Sequence, residues 1–318
     1  MLPILQQFYG TYFASRFDSD RSQITILNEL AVGGGTLIVG GDLTKDKVDS
    51  DLTFDTSSRK NTGLFASFNT SFAAGDVEVS VRSDDNEQFG KELTGAVAYG
   101  RDIGDDHRFT ISWGSAYKAP TFNELYYPGF GNANLEAETS TSIDVGFSGQ
   151  TDNGQWAINA FRTSIDNLIG FDPVTFAPVN INQAEITGIE ATGIFNVGEW
   201  NIGAGLTLMD PKDSGDGSNS GNQLPRRTKR IIQLSADRQF GNFEFGASVN
   251  AHGAAFDDPA NTRELDSYTL LNVRVGYQLR PNWMLDLELN NLLDEEYETA
   301  FSYNQDGLNA MATLRYIP

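Results

Sequence analysis

The stretch SWGSAYKAPTFNELYYPGFGNANLEAE, residues Ser112–Glu138, decides the fold class. One set of alternating positions at its start is apolar or aromatic, namely Phe109, Ile111, Trp113 and Tyr117. The positions between them are small or polar, so the pattern predicts an extended strand with two different faces. A loop rich in Pro, Gly, Asn and Tyr follows, and a second polar-apolar alternation starts near Thr139.

This unit of strand, long loop, strand and tight turn recurs along the chain. Short turns are predicted at Val32–Gly35, Ala73–Asp76, Ile103–Asp106, Gln150–Gly154, Asn196–Glu199, Gln239–Asn242 and Leu279–Asn282. Longer loops are predicted at Tyr9–Asp20, Lys45–Ser58, Asp84–Lys91, Lys118–Glu138, Asp172–Val179, Asp210–Leu224, Phe256–Asp266 and Glu298–Gly307. Because short and long connections alternate, all short turns are expected at one end of an antiparallel up-and-down sheet of about 15 strands.

The composition favours strands and excludes several classes of function. The 318 residues include 32 Gly, 21 Phe and 11 Tyr, but only 4 Met and no Cys. The chain therefore offers neither disulfides nor thiolate metal ligands. A formal charge of −21 argues against nucleic acid as a partner, because nucleic-acid phosphates require a basic surface. No run approaches the roughly 20 apolar residues of a membrane helix, whereas a membrane β-strand needs only about 10 residues with every second one apolar.

Aromatic residues begin the apolar strand face directly after five of the short turns, at Phe109, Trp156, Trp200, Phe243 and Trp283. Aromatic side chains that recur at one height are typical of the interfacial girdle of a membrane barrel. A soluble β-sandwich is the alternative, but about 15 long strands would curl or close instead. The sequence therefore predicts an all-β protein, a transmembrane antiparallel up-and-down β-barrel, in which residues 1–318 form one domain.

Few residues suggest catalysis or metal binding. His107 and His252 are far apart in sequence and have no evident partners, so we expect solvated surface histidines. Asp210, Asp213 and Asp216 follow a spacing of three, whereas calcium loops alternate acids at a spacing of two, which favours a flexible acidic loop. We expect no catalytic residue, no metal site and no cofactor, and so do not expect an enzyme.

Two groups of residues are candidates for ligand contact. The basic cluster Pro225–Arg230, which includes Arg226 and Arg227, either binds an anionic ligand group or lipid phosphates, or balances acidic neighbours. Aromatic residues also occur in the long loops, at Tyr126, Tyr127, Phe130, Phe256, Phe301 and Tyr303. These rings form either a binding mouth for a flat, partly apolar ligand or contacts between loops.

The stretch from Ser112 to Glu138, together with NNLLDEEY at Asn290–Tyr297, resembles the C-terminal half of TonB-dependent outer-membrane receptors. Five further segments resemble the cobalamin (vitamin B12) receptors of that family: SVRSDDNEQFG at Ser80–Gly90, RKNTGLF at Arg59–Phe65, INQAEITGIEA at Ile181–Ala191, LPRRTKR at Leu224–Arg230 and ETAFSYNQDG at Glu298–Gly307. The similarity begins near Tyr9 and covers nearly the whole chain.

The resemblance implies cobalamin capture at the extracellular mouth of an outer-membrane barrel, followed by passage driven by the TonB complex acting on an N-terminal plug. Matched residue by residue, Tyr303 corresponds to an apical aromatic that touches the corrin ring, and Arg227 corresponds to a loop arginine at the mouth. Outer-membrane lipid is the other expected partner. A siderophore or haem receptor of the same family and a passive diffusion porin are the alternatives.

The chain also departs from the family pattern. Family barrels have 22 strands around a plug, so about 15 strands imply a partial barrel. Neither the plug nor the TonB box is recognised in the sequence. Contact with the TonB complex would need that plug. The acidic calcium-binding loops expected in earlier hairpins are not seen in the sequence. Residues Met1–Gln6 lack the features of a signal peptide, and Leu314–Pro318 lack the terminal aromatic expected of such barrels.

Overall fold

The structure is a computed structural model that describes residues 4–8, 11–172 and 175–317, with side chains from residue 16 onward except at position 182. Tyr9, where the similarity was expected to begin, and the first three residues lie outside the described part. No helix in the described part is long and apolar enough to cross a membrane.

Strands account for most of the described chain. The first nine are β1 (Ile4–Phe8), β2 (Thr11–Ser15), β3 (Phe17–Val32), β4 (Gly35–Ser50), β5 (Ser58–Phe72), β6 (Gly75–Asn86), β7 (Gly90–Ile103), β8 (His107–Lys118) and β9 (Glu138–Thr151). The remaining ones are β10 (Gly154–Asp172), β11 (Ala177–Val197), β12 (Trp200–Asp213), β13 (Arg230–Phe240), β14 (Phe243–His252), β15 (Ala255–Phe256), β16 (Glu264–Leu265), β17 (Tyr268–Arg280), β18 (Trp283–Asn290) and β19 (Asn309–Tyr316). One short helix, α1 (Phe122–Tyr126), follows β8.

Fifteen of the described strands form one sheet in the order β19-β18-β17-β14-β13-β12-β11-β10-β9-β8-β7-β6-β5-β4-β3. Two small hairpins, β1-β2 and β15-β16, are separate from it. Strands that pair with each other in the large sheet also follow one another along the chain, as expected of an up-and-down arrangement. The predicted all-β fold and the predicted number of about 15 strands are confirmed.

The short turns are also confirmed, but several predicted long loops are strand. β2 and β3 occupy most of the predicted loop Tyr9–Asp20, and β4 continues to Ser50, well into the predicted loop Lys45–Ser58. β6 and β7 are joined by only three residues, 87–89, where Asp84–Lys91 was predicted as a long loop. The end of β4 and the β6–β7 segment are polar on most positions of both faces, so hydropathy marks them as loops, although their backbone groups remain paired in the sheet.

The chain divides into two compact units. Unit 1 comprises Met1–Gly100, Ser112–Ile143 and Ser164–Ala184, and unit 2 comprises Arg101–Ile111, Asp144–Thr163 and Glu185–Pro318.

In unit 2 the sheet has one apolar and one polar face, and the strand registers extend each face from strand to strand. Leu206 pairs with Ile232 and Ala204 with Leu234, which in turn pairs with Val249. The alternate positions pair small and polar residues: Gly203 pairs with Ser235, which pairs with Ser248, and Gly205 pairs with Gln233, which pairs with Asn250. The apolar side chains remain exposed, with Leu234 at 48% and Leu287 at 49%, which is the pattern of a sheet that faces lipid on one side.

Aromatic rings gather where the strands of unit 2 meet the short turns. Phe243 lies 4.6 Å from Tyr277 and Trp283 lies 5.0 Å from Tyr316, measured between ring centroids. The guanidinium of Arg238 lies over the Trp200 ring at 5.6 Å. Two of the predicted aromatic positions after the turns, Phe243 and Trp283, therefore lie in ring clusters on the apolar face, an arrangement typical of an interfacial girdle.

In unit 1 the polar face holds a buried ion cluster. Arg82 on β6 bridges two carboxylates, donating to Asp42 at 2.8 and 3.1 Å and to both oxygens of Asp84 at 2.7 Å. Asp42 is only 8% exposed, and Asn61 donates to Asp84 at 2.7 Å. Arg82 also lies over the Phe65 ring at 5.7 Å. Each buried charge in the cluster is thus paired and hydrogen-bonded.

Candidate functional site

Three long loops of unit 2 carry most of the predicted ligand-contacting residues. They are the β12–β13 loop (214–229), the β14–β17 loop (253–267), which contains the β15-β16 hairpin, and the β18–β19 loop (291–308). The first of these folds back on the end of its own strand, since Leu224 N–H donates to Pro211 O at 3.0 Å and both side chains are fully buried. The loop is therefore a structured element and not a flexible acidic segment.

A reciprocal pair of hydrogen bonds fastens the β12–β13 loop to the β14–β17 loop. The Asn261 side chain accepts from Gln223 N–H at 2.8 Å and donates to Gln223 O at 2.9 Å. Asn222 adds a bond from its side-chain amide to Pro259 O at 3.0 Å. The Asn261 amide makes the two hydrogen bonds to the Gln223 backbone that a residue of a neighbouring strand would make, and these bonds fix the relative position of the two loops. We call this contact the Asn261 latch.

Arg226 is held by the same two loops. Its Nε donates to Asp257 Oδ1 at 2.6 Å, and its backbone N–H donates to Phe256 O at 2.6 Å. Asp257 is only 4% exposed, so its charge requires this partner. Arg226 thus balances an acidic neighbour, which is one of the two roles predicted for the basic cluster. The backbone carbonyl of Arg227 accepts from the Gln223 side chain at 2.6 Å.

Asp258 organises the tip of the β14–β17 loop. Its carboxylate accepts from the backbone N–H groups of Thr262 and Arg263, at 2.9 and 2.7 Å, and from the Thr262 hydroxyl at 2.9 Å. Burial of the carboxylate raises its pKa, but the hydrogen bonds donated by Arg263 and Thr262 outweigh that effect, so the pKa of Asp258 lies below its ordinary value. The loop tip is therefore held by an ionised carboxylate at neutral pH.

The β18–β19 loop is organised by Asn291, which is 4% exposed and has a positive φ of 51°. Its side chain donates to Glu295 O at 2.9 Å and to Asp306 O at 3.2 Å, and accepts from Glu295 N–H at 2.9 Å. Tyr297 packs on Tyr268 with ring centroids 4.4 Å apart. The base of the loop is thus rigid.

The tip of the same loop presents two aromatic rings to solvent. Tyr303 is 64% exposed and Phe301 is 47% exposed. The guanidinium of Arg263 lies over the Phe301 ring at 5.1 Å, which connects this tip to the β14–β17 loop. Phe301, Arg226 and Arg263 therefore belong to one network of loops, and Tyr303 projects beside it.

Unit 1 carries its own long loop, the β8–β9 loop (119–137), which begins with α1. Thr121 caps α1 by accepting from Glu124 N–H at 3.2 Å, and the Glu124 carboxylate accepts from Thr121 N–H at 2.7 Å, which forms a capping box. Arg59 donates to Pro120 O at 2.8 Å and lies over the Phe122 ring at 5.1 Å. The loop is anchored on the sheet at its start.

A row of aromatic rings runs through the loops of unit 1. Its neighbouring centroids are 5.4 to 6.3 Å apart in the order Phe17, Phe54, Tyr127, Phe130, Phe171 and Phe176. Tyr127 is half-buried within the row, and half-buried Tyr126 accepts a hydrogen bond at its hydroxyl from the Gln88 side chain. Both tyrosines therefore pack between loops, as in the second interpretation given for the loop aromatics.

The structure thus separates the predicted site residues by role. Phe301 and Tyr303 are exposed, Arg226 is paired with Asp257, and Tyr126 and Tyr127 pack within unit 1. The sequence did not single out three residues that build the loops, Asn261, Asp258 and Asn291. Asn291 and Asn261 lie in loops with positive φ, a conformation that Asn tolerates, so Asn at such turns is the signal available in the sequence.

No group of three or more His, Asp or Glu side chains among the described residues is arranged to hold a metal ion. His107 is exposed and stacks on Phe147 at 5.7 Å. His252 is half-buried and stacks on Tyr268 at 4.8 Å, so it is less solvated than predicted. A concavity of about 790 Å³ on unit 2 is lined by short-turn residues and by the polar face, including Asp105, Ser235 and Ser248. It contains none of the predicted ligand residues.

The antiparallel sheet, the lipid-type apolar face and the alternation of short turns with long loops define a class of protein, the outer-membrane β-barrels. A family model described as "TonB dependent receptor-like, beta-barrel" matches residues 5–292. The chain belongs to this TonB-dependent receptor family, and its place is the outer membrane. The predicted family and localisation are confirmed.

Two relatives are similar over almost the whole chain. The vitamin B12 transporter BtuB of Photobacterium profundum is 29% identical over 316 residues, which cover 98% of this chain and 52% of the relative. The vitamin B12 transporter BtuB of Vibrio vulnificus is 32% identical over 312 residues, which cover 94% of this chain and 50% of the relative. The chain thus spans about half the length of these relatives.

Solved structures share the fold at lower identity. The siderophore receptor PiuA from Acinetobacter baumannii has a TM-score of 0.78 at 17% identity, and the match covers 96% of this chain and 57% of PiuA. The copper transporter OprC has a TM-score of 0.79 at 16% identity, with 96% and 57% of the two chains covered. These likenesses establish the fold of the sheet.

Proposed function

We propose that this chain is the barrel portion of an outer-membrane receptor that takes up cobalamin in a TonB-dependent manner, and that it is a transporter and not an enzyme. The observation that carries the proposal is the alignment of 94% and 98% of the chain with two vitamin B12 transporters. Interaction with the TonB complex belongs to the plug of such receptors, so we assign it to the whole receptor.

The exposed loop tips of unit 2 support ligand capture. Tyr303 and Phe301 offer flat apolar surface at the end of a loop whose base is rigid, and an aromatic face of this kind suits the broad face of a corrin ring. Holding the loop in place before binding reduces the conformational entropy lost on binding. The Asn261 latch and Arg263 supply that order. We propose Tyr303 and Arg227 as ligand contacts and Arg226 as a positioning residue that orders the loop through Asp257.

Tyr126 and Tyr127 have a different role in this proposal. Because both are half-buried among neighbouring loop side chains, they order the β8–β9 loop of unit 1 instead of touching the ligand first. Phe176, by contrast, is 65% exposed at the end of the aromatic row of unit 1. It has the same chemistry as Phe301 but is not assigned to the ligand, so it provides a matched control.

Equilibrium binding of labelled cyanocobalamin to outer membranes tests the assignment. Tyr303→Ala is expected to weaken binding by about tenfold, the effect typical of an aromatic contact residue, and Phe176→Ala is expected to leave binding unchanged. Equal binding by wild type and Tyr303→Ala would remove Tyr303 from the site. Saturable binding of a labelled ferric siderophore, with no displaceable binding of cyanocobalamin, would support the siderophore alternative. Ohmic conductance without ligand binding would support the porin alternative.

A further inference from the structure

Unit 1 places two lysines directly opposite each other on neighbouring strands. Lys45 on β4 pairs in register with Lys60 on β5. Directly opposite residues have Cβ atoms about 4.5–5.5 Å apart, and like charges in this arrangement destabilise a sheet. Neither ammonium group has an ion-pair partner among the described residues. The nearby Glu87 carboxylate accepts from the backbone N–H of Lys60, at 2.9 Å.

The two lysines lie on the apolar face of the sheet. On the same face, toward the short turn between β3 and β4, Leu43 on β4 pairs with Thr62 on β5, and Gly41 pairs with Leu64. Leu43 is 57% exposed and Leu64 is 64% exposed, which identifies this face as the one in contact with lipid. The opposite face carries the buried Asp42, paired with Arg82.

The position of the pair along the strand sets its depth in the membrane. β4 leaves its short turn at Gly35, and a crossing strand needs about 9–11 residues. Lys45 therefore lies at the far boundary of the apolar layer, on the side of the long loops. Long loops of such barrels are extracellular, so the two ammonium groups lie among the headgroups of the outer leaflet.

We propose that Lys45 and Lys60 form a binding site for a phosphate on the headgroup of an outer-leaflet lipid. A phosphate has three strong acceptor oxygens and a charge that offsets both lysines, so one group satisfies both cations and relieves their repulsion. The chain as a whole carries a charge of −21, so two uncompensated cations on its lipid face are a local exception that matches an anionic partner. Lys47, the next position on this face, lies opposite Asp20, so it adds no uncompensated charge to the site.

Unit 2 offers a comparison. Lys212 on β12 follows the apolar positions of its strand and Lys229 lies just before β13, and each is neutralised within the chain. Lys212 Nζ lies 3.2 Å from Glu185 Oε1, and Lys229 Nζ lies 3.1 Å from Asp210 Oδ1. Because their charges are already balanced, these two lysines have less affinity for an external phosphate. They provide the matched control.

The test is a native mass spectrometry titration of the full chain, extracted from outer membranes in neutral detergent, with diphosphoryl lipid A. Lys45→Gln/Lys60→Gln is expected to weaken binding by about 30-fold, roughly fivefold for each lysine near an anionic lipid surface. Lys212→Gln/Lys229→Gln is expected to bind as wild type. Inorganic phosphate at equal concentration is expected to compete poorly, because it lacks the acyl chains that anchor the headgroup.

Three results would overturn the proposal. In the first, wild type and Lys45→Gln/Lys60→Gln bind diphosphoryl lipid A with equal affinity. In the second, wild type binds fully dephosphorylated lipid A as tightly as diphosphoryl lipid A. In the third, Lys45→Gln/Lys60→Gln and Lys212→Gln/Lys229→Gln lose the same amount of affinity. Heat-modifiable migration checks that each variant is folded. Lys45→Arg/Lys60→Arg keeps both charges and is expected to bind as wild type, so a loss like that of the Gln variant would also contradict the assignment. The site is independent of cobalamin, and the two proposals fail separately.

Discussion

Arg82 is the residue whose replacement tests the packing of unit 1 most sharply. The side chain makes four hydrogen bonds to two carboxylates, with distances between 2.7 and 3.1 Å. Replacing it with Met would keep most of the side-chain volume but leave Asp42 and Asp84 facing each other without a cation. Asp42 is 8% exposed, so its charge would be poorly solvated.

The magnitude follows from the burial of the partners. Removing one partner of a fully buried ion pair costs about 3–5 kcal/mol, and the exposure of one third of the Arg82 side chain reduces that figure through solvent screening to about 2–3 kcal/mol. The assay is guanidinium unfolding of the chain in detergent, followed by Trp fluorescence. Arg82→Met is expected to lower the free energy of unfolding by this amount. Adding Asp42→Asn and Asp84→Asn is expected to recover much of the loss, because no buried charge then remains.

A matched control is the ion pair of Arg315 with Asp286. Its atoms are 3.6 Å apart and the Arg315 side chain is 59% exposed, so Arg315→Met is expected to cost less than about 1 kcal/mol. If Arg82→Met unfolds at the same guanidinium concentration as wild type, or if the triple variant is no more stable than the single one, then the buried cluster does not stabilise unit 1 as described.

Three further predictions concern the loops. Because the pKa of Asp258 is lowered in the folded state, its contribution to stability is complete above the unfolded pKa of about 4 and is lost as the pH falls through the lower folded value. Hydrogen exchange corrected for intrinsic rates should show loss of protection in residues 257–263 in that acid range, and Asp258→Asn should abolish the transition. Asn261→Gly tolerates the positive φ of 55° at this position but removes the Asn261 latch, which should cost about 1–2 kcal/mol of local stability. The loss should appear as faster hydrogen exchange at the Gln223 amide. Unchanged exchange would contradict the latch. Thr121→Ala should destabilise α1 by about 1 kcal/mol, seen as faster exchange at the Glu124 amide, and Thr121→Ser should not.

The sequence predicted the sheet well because the membrane imposes a simple pattern. Between the two interfaces every second side chain faces lipid, so Trp200, Ile202, Ala204, Leu206 and Leu208 reveal their strand directly. Aromatic residues after the short turns mark one interface. Glycine in the turns adds a local signal, since Gly33 and Gly34 both have positive φ.

The same reasoning failed where strands leave the apolar layer. β4 continues for several residues beyond Leu43, and β6 continues to Asn86, with polar side chains on both faces. Outside the membrane neither face must be apolar, so the alternation disappears although the hydrogen-bonded ladder persists. Backbone pairing leaves no trace in hydropathy.

The candidate site was only partly predictable for a related reason. Exposed aromatic residues such as Tyr303 can be picked out by composition and by resemblance. Whether a loop residue is exposed or packed depends on neighbours distant in sequence, and Tyr127 contacts Phe54, which lies 73 residues earlier. Arg226 was a candidate ligand residue until its partner Asp257 was known. Such contacts are set by the register of strands, which the sequence does not reveal locally.

The most direct test of the central proposal is equilibrium binding of labelled cyanocobalamin to cells. The chain would be expressed alone and joined to the part of the Vibrio vulnificus relative that it does not cover, because it spans 50% of that protein. We expect saturable binding by the joined protein that unlabelled cyanocobalamin displaces and that Tyr303→Ala weakens. Correct insertion into the outer membrane without any displaceable cyanocobalamin binding would contradict the assignment of this chain to cobalamin uptake.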